Sequence, residues 1–178
     1  MDPAGTTTLV VMGVSGSGKS AVASELAQRL GWTYLDADDL HPAENIAKMA
    51  AGHPLDDADR APWLAAVAGW IGQRESAGED ALVACSALRR RYRDVLRSGH
   101  PSVLFAHVAP DPAVIAERLA HRHGHFMPPA LLGSQLHDLD ELEADEPGVR
   151  LPVAGGWTPA QTAQRLAALL DLRPRQPT

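Results

Sequence analysis

The first residues able to do chemistry stand at Gly13 to Ser20, which read G-V-S-G-S-G-K-S. The spacing is Gly, four residues of any type, Gly, Lys, then Ser, a pattern that holds a phosphate chain. Backbone N–H groups at the start of a helix receive concentrated negative charge at little cost. Glycines let the main chain come close and take positive φ. Gly13, Val14, Ser15, Gly16, Ser17, Gly18, Lys19 and Ser20 are therefore expected to bind a nucleotide. Lys19 can reach its outer phosphates, and the Ser20 hydroxyl suits Mg²⁺. The loop alone does not say whether the phosphate is transferred, hydrolysed or only held.

A second set lies in "WTYLDADDL" (Trp32 to Leu40), which ends in Asp36, Asp38 and Asp39. Asp36 and Asp38 are two apart, so in an extended strand they share a face. One carboxylate then suits Mg²⁺, directly or through water, and the other can take a proton from an attacking hydroxyl. The alternative is that Asp38 and Asp39 cap the next segment. His41, just before Pro42, can touch a substrate or only cap.

Basic residues form a third set. Arg60 ends the polar turn "DDADR", and "LRRRYRDVLR" (Leu88 to Arg97) holds five arginines, Arg89 and Arg90 among them. One or two of these, facing a cleft, could fork onto an anionic substrate. Arg118 and Arg122 are four apart on one helical face. They can neutralise charge during phosphoryl transfer or pair with the acidic run that follows. His121, His123 and His125 resemble a metal cluster, but no partner has metal-site spacing and Mg²⁺ prefers oxygen. A substrate hydrogen bond from His125, or no role, fits better. Cys85 reads as a small core residue. Trp63 and Trp70, seven apart, fit a core or a dimer face.

The elements that must position these groups alternate strand and helix, the order of a parallel sheet covered on both faces. "TLVVMGV" is a buried strand running into the glycine loop. "KSAVASELAQRL" follows as a helix with Val22, Leu26 and Leu30 on one stripe and Gly31 at its end. Helices are also expected over "HPAENIAKMAAG", from about Ala61 to Ala77, over "LRRRYRDVLRSG", over "PAVIAERLAHRH" and from Thr158 to about Leu172. Further strands are expected at "DALVACSA", "SVLFAHVA" and "VRLPV". The segment from about 122 to 140 breaks the rhythm with Gly, Pro and His, as a lid would. One domain, 1–178, is expected.

Of the 178 residues, 45% are hydrophobic and 21% charged, the profile of a soluble globular chain. A net charge of −6 argues against a nucleic-acid or anionic-membrane surface. A single cysteine permits no intrachain disulfide and suits a reducing compartment. With neither signal peptide nor bilayer-length apolar run, the expected location is the cytoplasm.

Four blocks together carry a family resemblance: "MGVSGSGKSAVASELA", "LDADDLHPAENIAKMAAGHPLDDADRAPWL", "CSALRRRYRDVLR" and "RHGHF". With their spacing they resemble the bacterial gluconokinases of the small P-loop type over most of residues 9 to 140. The loop is generic; the second and third blocks are specific. The resemblance implies an α/β P-loop three-layer sandwich, with a five-stranded parallel sheet, helices on both faces and a lid insert. It implies ATP and Mg²⁺, D-gluconate as acceptor, 6-phosphogluconate as product and a homodimer. It places Asp38 as base, Asp36 near Mg²⁺, and Arg60 with Arg89–Arg90 on the substrate side. Arg-Arg stands here where Lys-Lys or Lys-Arg is common. A small polyhydroxy carboxylate needs a cation, polar contacts and a base; Arg60 or Arg89/Arg90, then His41 with His125 or Gln135, then Asp38, would supply them. Another acceptor, such as shikimate, or a nucleotide switch without transfer are the competing readings.

Overall fold

The computed structural model describes residues 5–121 and 131–174. Strand β1 (Thr8–Met12) is buried along its whole length. It pairs in parallel with β3 (Ala81–Ala84) on one side and β4 (Val103–Pro110) on the other. β2 (Thr33–Asp36) joins the outer edge of β3, and β5 (Gly148–Val153) that of β4. The result is the expected five-stranded parallel sheet, in the order β2-β3-β1-β4-β5.

Alternation along β1 divides the core. Leu9 and Val11 point to one face, where α1 (Lys19–Leu30) and α7 (Pro159–Leu169) bury Val22, Leu26, Leu30, Ala163 and Leu166. Val10 and Met12 point to the other face, against Trp63, Val67 and Ile71 of α3 (Asp57–Ser76) and Leu96 of α4 (Arg90–Arg97). Trp63 is thus a core residue, while Trp70 is half-buried with the Arg74 guanidinium 5.5 Å from its ring. Cys85 is fully buried, and burial pushes its thiol up to about 12.

Three local features differ from the sequence expectation. α3 begins at Asp57 rather than near Ala61, because Asp56 and Asp59 form a capping box that satisfies two N–H groups of its first turn. β2 stops at Asp36. Residues Ala37–Leu40 then wind into a 3-10 turn whose first carboxylate cap is Asp36 itself, accepting from the Asp38 N–H at 3.1 Å. Asp36 and Asp38 therefore do not share one extended strand. Finally, a short helix α6 (Leu132–Asp138) lies in the irregular segment between α5 (Pro112–Ala120) and β5. The eight-residue helix α2 is short as well, spanning Ala43–Ala50. Among the described residues no helix is long and apolar enough to cross a membrane.

Candidate active site

In an open parallel sheet the ligand cleft lies beyond the carboxyl ends of the strands, where the chain order reverses. Here that place is the gap between β1 and its neighbours, filled by the glycine loop. Gly13, Gly16 and Gly18 all take positive φ, at 151°, 81° and 92°. A Cβ on Gly16 would stand 2.9 Å from Leu119 Cγ, so the loop is seated directly on α5. Arg118 of the same helix donates to the Ser17 carbonyl at 3.1 Å. Ser17 Oγ is buried and has no hydrogen-bond partner among the described residues. The Ser15 N–H is held at 2.6 Å by the Gln135 side-chain oxygen of α6.

Two hollows open beside the loop. One is bounded by Gly16, Gly18, Ser20 and Arg118; the other by His41, Arg60, Ser86 and Gln135. Lys19 and Asp38 line both. An ammonium and a carboxylate thus stand where the two spaces meet.

The support of Asp38 is a short relay. Asn45 is buried, and its amide nitrogen donates to the Asp59 carbonyl at 2.8 Å, which sets the orientation of the amide. The same nitrogen lies 3.4 Å from His41 Nδ1, so Nδ1 must accept and the ring proton belongs on Nε2. Nε2 faces Asp38 Oδ1 at 3.8 Å. The imidazole is stacked on Trp63, with ring centroids 4.2 Å apart. Burial, outweighing the nearby Asp38 carboxylate, holds its pKa below the ordinary value, so His41 stays neutral near pH 7. Asp36 lies behind this group, accepting also from the Tyr34 hydroxyl at 3.4 Å.

Across the cleft Arg60 donates to the Leu55 carbonyl at 2.5 Å and to the Tyr92 hydroxyl at 3.1 Å. Tyr92 in turn donates to Asp57 at 2.6 Å. Arg89 precedes α4 as its N-cap residue and pairs with Asp138 of α6. The turn that presents it is strained: Ala87 is fully buried with φ +43°, a conformation costing about 1–3 kcal/mol for a residue with a Cβ.

Lys19, Ser20, Asp38, His41, Arg60, Arg118 and Gln135 are thus brought to one cleft, with Arg89 at its rim. Arg90 does not join them. It is the first residue of α4, its guanidinium is taken by Asp94 at 2.9 Å, Asp145 at 2.8 Å and Glu143 at 3.1 Å, and it lines neither hollow. Arg122, His123 and His125 lie outside the described residues. Sequence reading passed over Asn45, Ser86, Ser134 and Asp138. Asn45 is recoverable in hindsight as a polar residue in the first turn of α2, four positions after His41; Asp138 carries no local signal.

A phosphate-gripping loop on one side of a shared Lys–Asp pair, and an arginine on the other, is the layout of a P-loop kinase acting on a small anionic acceptor. Residues 9–141 match the AAA domain family. The gluconokinase of Gluconobacter oxydans (strain 621H) is 50% identical over 143 residues, 80% of either chain. An unliganded sugar kinase from Janibacter sp. HTCC2649 superposes with a TM-score of 0.88 at 47% identity, covering 95% of this chain and 96% of that one. A gluconokinase from Sinorhizobium meliloti 1021 does so with a TM-score of 0.77 at 44% identity, covering 93% of each. The chain belongs to the gluconokinase family.

Proposed function

We propose that this protein transfers the γ-phosphoryl group of ATP to the terminal hydroxyl of D-gluconate, giving ADP and 6-phospho-D-gluconate. The observation that carries this reading is the position of Asp38 and Lys19, each lining both hollows at once. The phosphate chain lies on the glycine loop, gripped by backbone N–H groups and Lys19. Gluconate lies in the other hollow, with its carboxylate toward Arg60 and Arg89 and its hydroxyls toward His41 and Gln135. Asp38 meets the attacking hydroxyl, orients it and takes its proton as the bond to phosphorus forms. Arg118, fixed on the loop through the Ser17 carbonyl, and Arg122 add positive charge where the transferred group spreads its negative charge.

Mg²⁺ fits the donor set. The Ser20 hydroxyl lines the phosphate hollow, and the Asp36 carboxylate stands behind it, bridged through Tyr34, whose hydroxyl also approaches the Ser20 carbonyl at 3.5 Å. A hydroxyl, a carboxylate, phosphate oxygens and water are the ligands Mg²⁺ takes. When bound, the ion would neutralise phosphate charge.

The segment from about 122 to 140 acts as a lid within a single domain, a reading supported by Leu131, Ser134 and Gln135 reaching the acceptor hollow. A cytoplasmic location is supported by the lone, buried Cys85. A homodimer rests on family resemblance; light scattering on a sizing column tests it.

ADP release, followed with a panel of gluconate, other sugar acids, shikimate and nucleoside monophosphates, tests the function. Gluconate should support turnover best. Turnover with another acceptor but not gluconate, or steady ATP consumption with no acceptor, would refute it.

A further inference from the structure

Three of the arginines in the segment after β3 differ in how their guanidinium forks are met. Arg93 is fully satisfied: Nε and Nη2 grip the two oxygens of Glu146 at 2.5 and 2.8 Å, with neither side chain exposed. Arg90 gives Nε to Asp94 and both terminal nitrogens to Asp145. Arg89 is different. Its Nη2 meets Asp138, yet its Nε is buried and has no hydrogen-bond partner among the described residues. A carboxylate facing the fork edge-on would satisfy both positions. Asp138 satisfies one.

Asp138 is the last residue of α6, and its side chain is only 15% exposed. Its second oxygen stands 3.8 Å from Arg60 Nη2. One internal carboxylate thus lies between Arg60, which lines the acceptor hollow, and Arg89, which joins Arg60 in the adjoining hollow, in contact with both but using neither fork fully. That is the arrangement of a replaceable occupant. A permanent structural pair looks like Arg93 with Glu146.

We propose that Asp138 is a specificity-determining residue that holds the Arg60–Arg89 anion site until an acceptor carboxylate displaces it. The inference rests on the reading that these arginines receive the acceptor's carboxylate. Gluconate would trade places with Asp138 and engage the idle Arg89 Nε. A neutral polyol cannot compete for the arginines and leaves Asp138 where it is. The internal carboxylate therefore weakens binding of an acceptor whose own carboxylate must displace it, and leaves the binding of a neutral acceptor nearly unchanged. It also ties α6, which bears Gln135 against the loop, to the far wall of the cleft.

The test is steady-state kinetics of Asp138→Asn, which keeps the shape and removes the charge, beside Asp138→Ala as a second variant. Thermal melts establish that each is folded. In Asp138→Asn the KM for gluconate should fall about three- to tenfold, the range for one partly exposed charge contact. The KM for ATP should not move, and a neutral polyol acceptor of the same length should gain less than twofold. An unchanged or raised KM for gluconate in both variants overturns the proposal. Arg89→Ala separates the two levels of the argument. If it raises the gluconate KM while Asp138→Asn does not lower it, only the role of Asp138 fails. If it leaves the gluconate KM unmoved, the reading of the anion site fails and takes this proposal with it.

Discussion

Replacing Arg93 with methionine should be among the most damaging single changes outside the cleft. The side chain is completely buried. Besides its two bonds to Glu146, its Nη1 donates to the carbonyls of Ala87 at 3.2 Å, Leu88 at 3.1 Å and Asp140 at 3.1 Å, and its Nη2 to that of Glu141 at 3.2 Å. Methionine fills much of the volume but supplies no donor. The Leu88 carbonyl would keep the Asp140 N–H at 2.8 Å, and Glu146 would keep the Glu143 N–H at 2.9 Å. What remains is a buried carboxylate stripped of its close counter-charge, with only Arg90 Nε left at 3.9 Å, which costs about 3–5 kcal/mol. For a chain of this length each kcal/mol lowers Tm by about 2–4 °C, so the melt should fall by roughly 6–20 °C. Urea denaturation gives the free energy directly.

The pH dependence supplies an independent sign. Desolvation of Glu146 favours its neutral form, but the Arg93 hydrogen bonds, the Glu143 N–H and the charges of Arg93 and Arg90 together outweigh it and hold the pKa below the ordinary glutamate value. A depressed carboxylate adds stability above its unfolded pKa of about 4.5 and loses it as pH falls through the folded value. Arg93→Met removes the largest contributor to that depression, so its deficit should shrink on acidification. Arg93→Met/Glu146→Leu should recover most of the loss, because an apolar pair needs no counter-charge. A single-variant loss under about 1 kcal/mol would refute this account of the pair.

Three further outcomes are expected. Asp38→Asn should lower turnover by roughly 10²–10⁴, the contribution of a positioned proton acceptor, while calorimetry finds ATP affinity nearly intact; near-normal turnover would remove Asp38 from the mechanism. Gly16→Ala should weaken ATP binding, since its φ is +81° and the new methyl would meet Leu119 at 2.9 Å; unaltered affinity would mean that the loop tolerates lifting off α5. Burial lowers the pKa of His41 and of His107, so below about pH 6.5 the unfolded chain takes up protons first and stability declines. Tm measured against pH should show this slope, and His107→Asn should flatten it; an equally steep curve would show that other groups cause the decline.

The parts of this molecule legible in the sequence are those dictated by local chemistry. The glycine loop announces its strand, its turn and its helix within thirteen residues, because phosphate binding needs backbone conformations that few sequences supply. The apolar runs mark the strands, and burial on both faces of β1 follows from its unbroken hydrophobicity. The Asp36–Asp38 geometry was less legible. Alternation presumes an extended chain, and a carboxylate capping a 3-10 turn ends that alternation two residues early.

The arginines show the limit most clearly. "RRRYR" presents four like charges in five residues, and nothing local distinguishes them. Their roles come from acids distant in the chain. Arg91 lies exposed on Asp57 at 2.7 Å; Arg90 faces the acidic run at Glu143 and Asp145; Arg93 turns inward to Glu146. Only Arg89, left outside the helix as its cap, pairs with Asp138 of α6, in the hollow that Arg60 shares with the acceptor side. A helix start between Arg89 and Arg90 therefore separates a ligand-facing residue from a structural one. That single boundary explains why adjacent arginines of equal charge should respond oppositely: Arg89→Ala in the KM for gluconate, Arg90→Ala in stability alone.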